Sequence, residues 1–152
     1  MQIPSVILTD KVELTEELGR SVAALLCSDA SLPRFVAMYG DLGTGKTSFV
    51  RGFASELCPG VTVKSPTFAL VNEYRCKENP AKIKRIYHFD MYRITDEDDL
   101  YSIGYYDYLR SDSLCIAEWC ELIPYALPES YIKVEIEKTD MGDGRKISLS
   151  LV

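Results

Sequence analysis

The sequence predicts an α/β fold in which antiparallel strands extend a central parallel sheet. A short, almost wholly apolar run, Phe35–Tyr39, is typical of a parallel strand that is covered on both faces. Amphipathic helices are predicted on either side of it, giving a β-α-β-loop-α-β order. Two late runs, 131–138 and 146–151, alternate with the two-residue period of half-exposed strands. The 152 residues predict one domain that spans positions 1–152.

The first half of the chain predicts a strand, a helix, the central strand and a second helix. Residues 6–9 form the first predicted strand, and Asp10 with Glu13 predicts a capping box that opens the first helix. Pro59 and Gly60 predict the end of the second helix. The first helix has one apolar face, made by Leu14, Leu18, Val22, Leu25 and Leu26.

The second half predicts shorter elements. Residues 69–74 and 85–90 are predicted strands, and the polar segment 77–84 between them is a predicted loop. Residues 96–109 predict a helix. Residues 114–117 predict a buried strand that ends at Glu118. The glycine-rich segment 141–144 predicts the loop of a terminal hairpin.

Composition limits the classes of protein that fit the chain. The charge is −6, which opposes direct, tight contact with nucleic acid, since such contact depends mainly on Lys and Arg. The five cysteines show no metal-ligand spacing, which predicts free thiols in a reducing compartment. No apolar run approaches the ~20 residues that a membrane span needs, and we predict a cytoplasmic protein without a membrane partner.

The most informative segment is Gly-Asp-Leu-Gly-Thr-Gly-Lys-Thr, which matches G-x-x-x-x-G-K-[ST] at every fixed position between a strand and a helix. Its main-chain N–H groups and the following helix N-terminus can hold phosphate oxygens. Lys46 is expected to reach the β- and γ-phosphates, and the Thr47 hydroxyl to ligate Mg²⁺. The predicted fold is therefore the three-layer P-loop NTPase fold, with ATP and Mg²⁺ as ligands. The predicted loop residues are Gly40, Asp41, Leu42, Gly43, Thr44, Gly45, Lys46 and Thr47.

Such a loop needs an acidic partner, which completes the Mg²⁺ site or orients the attacking water. Asp90 and Glu118 both lie at predicted strand ends, where ligands bind in α/β sheets, and the residues alone do not decide between them. Thr67 lies where switch loops often place a threonine, although Ser-Pro-Thr by itself is better interpreted as an ordinary turn. His88 is predicted to be a hydrogen-bonded structural residue. Trp119 fits either the core or the edge of the nucleotide.

Taken together, these segments resemble the TsaE family (also called YjeE), bacterial ATPases needed for threonylcarbamoyladenosine at position 37 of tRNA. The resemblance runs over about residues 15–128. Cys120 departs from the proline that is common after the Glu-Trp pair. The ordered motifs that carry the resemblance are Thr15-x-x-x-Gly19, the phosphate loop, Ser65-Pro66-Thr67-Phe68, His88-Phe89-Asp90-Met91-Tyr92-Arg93 and Glu118-Trp119.

The resemblance implies roles for individual residues. Thr47 and Glu118 would hold Mg²⁺, Asp90 would act near the γ-phosphate, and Thr67 would lie in a switch-like loop. Thr9 and Arg145 would contribute to holding the adenine.

The resemblance also implies partners. They are the TsaB and TsaD proteins, with TsaD performing carbamoyl transfer and tRNA contacted only through the complex.

Two other functions stay open at the sequence level. A small-metabolite P-loop kinase would use Asp90 as a base, but the arginine-rich lid usual in such kinases is not evident. A GTPase is disfavoured because the guanine-reading motif Asn-Lys-x-Asp does not occur.

Overall fold

The computed structural model describes residues 1–66, 70–109 and 112–152. Two single-turn 3₁₀ helices, Cys120–Leu122 and Pro124–Ala126, precede the terminal hairpin. The strands and longer helices are β1 Ser5–Thr9, α1 Val12–Ser28, β2 Phe35–Tyr39, α2 Lys46–Leu57, β3 Val71–Arg75, β4 Arg85–Asp90, α3 Glu97–Ser102, α4 Tyr105–Tyr108, β5 Ser113–Glu118, β6 Ile132–Lys138 and β7 Arg145–Leu151.

The strands form a seven-stranded sheet in the order β1-β7-β6-β2-β5-β4-β3. The central strands β6, β2, β5 and β4 are parallel to one another. β7 and β1 are added antiparallel at one edge, and β3 is added antiparallel at the other. The predicted α/β fold, parallel at its centre and antiparallel outside, is confirmed.

Two apolar layers cover the sheet, one on each face. Val36 and Met38 of β2 pack with α1 and α2, whereas Phe35 and Ala37 pack with α3, α4 and the 3₁₀ helices. This alternation is the two-residue period of a strand, and in β2 both faces are buried. The layers therefore follow the three-layer order that the sequence predicts.

The terminal hairpin lies within the sheet on one side, because β6 pairs in parallel with β2 while β7 pairs antiparallel with β6. In β6, Ile132, Val134 and Ile136 face the α1–α2 layer and are fully buried. Lys133 and Glu135 face the other way and stay partly exposed. The alternation seen in the sequence therefore reflects a helical layer on one face only.

The predicted capping box at the start of α1 is wrong. The helix begins one residue later than expected, so Lys11 is the N-cap and no side chain caps the helix. Asp10 consequently stands one position outside the cap, out of the geometry that a capping box needs. Of the predicted apolar face, Leu18, Val22 and Leu26 are buried, whereas Leu14 is 45% exposed. The buried stripe also contains the small residues Thr15, Gly19 and Ala23.

The helix predicted over residues 96–109 is two short helices, α3 and α4. Gly104 separates them with a left-handed φ of 73°, a conformation that glycine adopts at little cost. Asp96 caps α3, accepting a hydrogen bond from the Asp99 N–H. The division brings Tyr105 into the core, where its hydroxyl donates to the Ala126 carbonyl at 2.8 Å.

The five cysteines are free thiols, as predicted. Cys58 at the end of α2 and Cys76 after β3 bring their sulfurs within 3.3 Å of each other. Within the described ranges, no helix combines the length and apolar character that crossing a membrane requires.

Candidate functional site

The phosphate loop connects β2 to α2 and curls at the carboxyl edge of the parallel strands. Gly40 has a φ of 148°, and a Cβ there would lie 2.5 Å from the Ile136 carbonyl oxygen, so only glycine fits beside β6. Gly45 has a φ of 107° and caps α2, and a Cβ there would meet no atom within 4 Å. The space beside the helix N-terminus is thus open, as an anion cradle requires.

Lys46, the first residue of α2, turns its side chain back over the loop. Its ammonium donates to the carbonyls of Gly40 and Asp41, the second at 3.0 Å. It also lies 4.0 Å from the centre of the Trp119 ring. Burial lowers the pKa of Lys46, and the carboxylates of Glu118, Glu121, Asp90 and Asp41 oppose that shift. The loop therefore holds a buried cation next to the open space.

Thr47 and Glu118, the pair that the family resemblance implies as Mg²⁺ ligands, lie close together at the site. The Thr47 hydroxyl lies 3.2 Å from Glu118 Oε1 and 3.3 Å from Oε2. Glu118 ends β5 and is 3% exposed, so its carboxylate is nearly withdrawn from water. A hydroxyl and a carboxylate are oxygen ligands of the kind that Mg²⁺ prefers.

Asp90 ends β4 directly beside Glu118, because the two residues are register partners in adjacent parallel strands. Its Oδ1 accepts the Tyr92 N–H at 2.9 Å. Burial raises the pKa of Asp90, and the nearby Glu118 charge adds to the rise. Two carboxylates therefore stand together at the edge where the phosphate loop lies.

A buried hydrogen-bonded chain supports Glu118, and sequence reasoning missed it. His88 Nε2 lies 2.6 Å from Glu118 Oε2, and His88 Nδ1 lies 2.9 Å from the Tyr74 hydroxyl. His88 is fully buried, and Tyr74 is 5% exposed. The expected hydrogen-bonded role of His88 is met, but its partners come from neighbouring strands whose register the sequence does not reveal.

The remaining residues that the family resemblance assigns to the nucleotide site are Arg145, Thr9 and Thr67. Arg145 donates to the Thr44 carbonyl at 2.9 Å and the Gly43 carbonyl at 3.3 Å, so its guanidinium braces the phosphate loop. Thr9 is buried, with its hydroxyl 3.4 Å from that of Thr15, and Thr15 lines the cavity. Thr67 lies outside the described residues.

A cavity of about 750 Å³ joins these groups. Its walls include Asp90, Glu118, Arg145 and Trp119, with the loop from Leu42 to Thr47 along one side. Gly40 and Asp41 instead line a separate cavity, of about 560 Å³, which also borders β6. The later part of the loop therefore faces the larger cavity, together with both predicted carboxylates.

The donor set fits a nucleotide with a divalent cation. Among the described residues, the buried Thr44 hydroxyl oxygen has no hydrogen-bond partner, a deficit of about 1–3 kcal/mol that a loop-bound anion can remove. The same residues contain no cluster of three or more His, Cys, Asp or Glu able to hold a metal. A cation here would thus need phosphate oxygens besides Thr47 and Glu118, the usual mode for Mg²⁺.

The fold and this site define a P-loop protein of the nucleotide-binding class. The profile of the TsaE family, described as threonylcarbamoyl adenosine biosynthesis protein TsaE, matches residues 9–147. The chain belongs to the TsaE family, which functions in the threonylcarbamoyladenosine modification of tRNA. The resemblance stated from the sequence motifs is thereby confirmed.

Individual relatives agree with this assignment. The chain is 43% identical over 114 residues to the tRNA threonylcarbamoyladenosine biosynthesis protein TsaE of Haemophilus influenzae, covering 75% of this chain and 68% of the relative. It is 34% identical over 138 residues to the Bacillus subtilis protein of the same name, covering 90% and 81%.

A solved structure supports the fold. The crystal structure of Bacillus subtilis YdiB superposes with a TM-score of 0.68 at 26% identity, covering 98% of this chain and 87% of that chain. The match extends over the antiparallel edges as well as the parallel centre, since nearly the whole chain takes part.

Proposed function

We propose that the chain is an ATP-binding protein with weak ATPase activity that is required for threonylcarbamoyl modification of adenosine 37 in tRNAs reading codons that start with A. It acts as a single P-loop domain over residues 1–152, together with the TsaB–TsaD pair. It contacts tRNA only through that complex. In this proposal TsaD performs the carbamoyl transfer, and ATP bound and hydrolysed by this chain resets the complex between cycles.

The observation that carries the proposal is the meeting of Thr47 and Glu118 beside the phosphate loop. Thr47 and Glu118 are proposed to hold Mg²⁺, which neutralises charge on the phosphates when it is bound. Lys46 exchanges its contacts with loop carbonyls for contacts with phosphate oxygens. The loop amides and the N-terminus of α2 hold the remaining phosphate charge.

Hydrolysis needs a group that orients water against the γ-phosphate. Asp90 is proposed for that role because it lies in the same cavity wall as Glu118. Its raised pKa, caused mainly by burial, suits a carboxyl group that takes part in proton transfer. Thr67 is proposed to lie in a switch-like loop that follows the state of the nucleotide.

We expect the isolated chain to hydrolyse ATP slowly. Stabilising charge on a transferred phosphoryl group often depends on an arginine that a partner supplies, with an effect of about 10³–10⁵-fold. In this chain Arg145 already donates to the Gly43, Thr44 and Gly144 carbonyls. A partner-supplied group therefore fits the proposed dependence on the TsaB–TsaD pair.

The test combines the purified chain, TsaB, TsaD, a threonylcarbamoyl donor and unmodified tRNA, with ATP labelled at the γ-phosphate. We expect phosphate release to rise when the partners and tRNA are added, and modified nucleoside to accumulate over several turnovers. A Glu118→Gln chain serves as the matched control and should support neither. Equal yields of modified nucleoside with and without the chain, or transfer of the label to a small-molecule hydroxyl, would overturn the proposal.

A further inference from the structure

We propose that His88 and Tyr74 are positioning residues that fix the Glu118 carboxylate for divalent-cation binding. The inference rests on the proposed function, since it concerns the same nucleotide site. It adds two side chains that do not touch the nucleotide or the metal. They act through Glu118, in a chain of groups that runs from β3 through β4 to β5.

The sheet brings these three side chains to one face. Tyr74 is paired with Ile86 across β3 and β4, while His88 is paired with Ile116 across β4 and β5. Positions two residues apart on a strand share a face, so His88 lies on the α2-facing side with Ile86, and Glu118 lies there with Ile116. The chain of contacts thus crosses three adjacent strands.

The hydrogen bonds have a consistent direction. An ionised Glu118 can only accept, so His88 Nε2–H donates to it at 2.6 Å; in the neutral imidazole Nδ1 is then the acceptor for the Tyr74 hydroxyl at 2.9 Å. A neutral imidazole satisfies both contacts. With one oxygen of Glu118 held by His88, the carboxylate plane stays turned toward the Thr47 hydroxyl at 3.2 Å.

Tyr74, the residue in this hydrogen-bonded series that lies farthest from Glu118, has further hydrogen-bond partners. Burial raises the pKa of Tyr74, while hydrogen bonds from Asn72 and the Lys64 main chain lower it. Asn72 Nδ2 in turn donates to the Lys64 carbonyl at 3.0 Å. Lys64 directly precedes the Ser65-Pro66-Thr67-Phe68 segment, so the groups that hold Glu118 also contact the main chain entering that segment.

A buried histidine can also serve folding alone, and magnesium dependence separates the two roles. A structural histidine would change folded-state stability and would change nucleotide affinity equally with and without metal. A positioning histidine acts on the metal ligand, so nucleotide affinity measured in EDTA should be retained. Outer groups that hold metal ligands typically affect metal affinity by about 10–100-fold.

The experiment measures binding of a fluorescent ADP analogue to the full chain, first in EDTA and then across a Mg²⁺ titration. For His88→Leu we expect the Mg²⁺ concentration at half-maximal effect to rise about 10-fold or more, with the EDTA affinity within about 2-fold of the unchanged chain. His88→Gln, which keeps an N–H donor, should recover part of the loss. Tyr87→Phe, on the opposite face of β4, is the matched control and should change neither value.

Tyr74→Phe removes only a hydroxyl and keeps the ring. It therefore tests the hydrogen bonds from Tyr74 through His88 to Glu118 if His88→Leu fails to fold. We expect it to raise the Mg²⁺ midpoint by at least about 2-fold, less than loss of His88 does. An unchanged Mg²⁺ midpoint in folded His88→Leu protein, or in Tyr74→Phe protein where His88→Leu does not fold, would overturn the positioning role alone. If the protein without substitutions binds ADP with an affinity that does not depend on Mg²⁺, or binds no nucleotide, the proposed function is overturned as well.

Discussion

The ammonium group of Lys46 is buried and donates hydrogen bonds to carbonyl groups of its own loop. The side chain is 5% exposed and hydrogen-bonded to the Gly40 and Asp41 carbonyls. Its position over the Trp119 ring adds a cation–π contact. Among the described residues, the ammonium is hydrogen-bonded to loop carbonyls rather than ion-paired with a carboxylate, and a bound phosphate would replace those carbonyl contacts.

We expect Lys46→Ala to weaken ATP binding by about 100-fold or more, because a charge-assisted contact to phosphate contributes about 1.5–3 kcal/mol and the loop also loses its buried cation. Isothermal titration calorimetry with ATP and Mg²⁺ measures the change. Lys84→Ala, an exposed lysine at the opposite edge of the sheet, is the control. Equal affinity in the two variants would contradict the loop assignment.

Asp90 predicts a pH-dependent stability of the nucleotide-free protein. Its pKa is raised, mainly by burial, so the folded protein binds that proton more tightly than the unfolded chain does. The stabilisation by protonated Asp90 is complete below the unfolded pKa of about 3.9 and is lost as pH rises through the raised folded value. At neutral pH, ionised Asp90 therefore lowers the free energy of unfolding.

We expect Asp90→Asn to raise Tm at pH 7–8 by a few degrees, since ~1 kcal/mol corresponds to about 2–4 °C in a chain of this size. The gain should shrink toward zero as pH approaches about 4. Asp140→Asn changes the same net charge at an exposed turn and is the control. A lower Tm for Asp90→Asn at neutral pH, measured by calorimetry, would show that the ionised carboxylate is structurally required.

The sequence predicts the placement of the candidate site residues where the signal is local. The phosphate loop is contiguous, and Asp90 and Glu118 end apolar strands, so their common edge follows from parallel pairing. The chain from Tyr74 to His88 to Glu118 is different, because it needs the order of three strands and the register between them. No single-chain pattern contains that information.

At the level of elements, α1 and α2 pack through glycines. A Cβ on Gly52 of α2 would lie 1.8 Å from the Glu16 carbonyl oxygen, and a Cβ on Gly19 of α1 would lie 2.2 Å from the Phe49 carbonyl oxygen. The two backbones therefore touch directly. Since α2 begins with Lys46, this contact fixes the helix that carries the loop lysine.

We expect Gly52→Ala to destabilise the protein by about 1–3 kcal/mol or more, although alanine normally stabilises a helix interior by about 1 kcal/mol over glycine. The cause is the clash with a backbone carbonyl, which cannot move aside as a side chain can. Urea unfolding measures the change. Ala24→Gly, at an exposed position of α1, reports the ordinary glycine cost as a control. A stabilised Gly52→Ala protein would contradict the close helix contact.

Element types were more predictable than element ends. The strand predicted at 85–90 matches β4, because its short length and its β-branched and aromatic residues favour a strand over a helix. The capping box at Asp10 and the single helix over 96–109 were wrong, because both depend on backbone angles near Lys11 and Gly104. The inserted position of β6 beside β2 likewise depends on tertiary packing.

At the scale of the whole molecule, the charge of the buried lysine in the phosphate loop and the net charge of the chain have opposite signs. The cavity lies at the carboxyl edge of the parallel strands, where the loop and both carboxylates meet. The chain as a whole has 17 basic and 23 acidic residues and a net charge of −6. The amides and the lysine of the phosphate loop provide a local site for an anion, whereas the net negative charge of the chain opposes contact with a long polyanion.

We therefore expect the isolated chain to bind tRNA with a Kd above about 10⁻⁴ M at physiological salt, which is weaker than typical non-specific binding of nucleic acid. Adding the TsaB–TsaD pair should bring the chain into a complex with tRNA. Fluorescence anisotropy of labelled tRNA measures both, with the pair alone as the control. A submicromolar affinity of the isolated chain, falling steeply with salt, would instead require a basic surface that contacts phosphates directly, and would contradict indirect recognition.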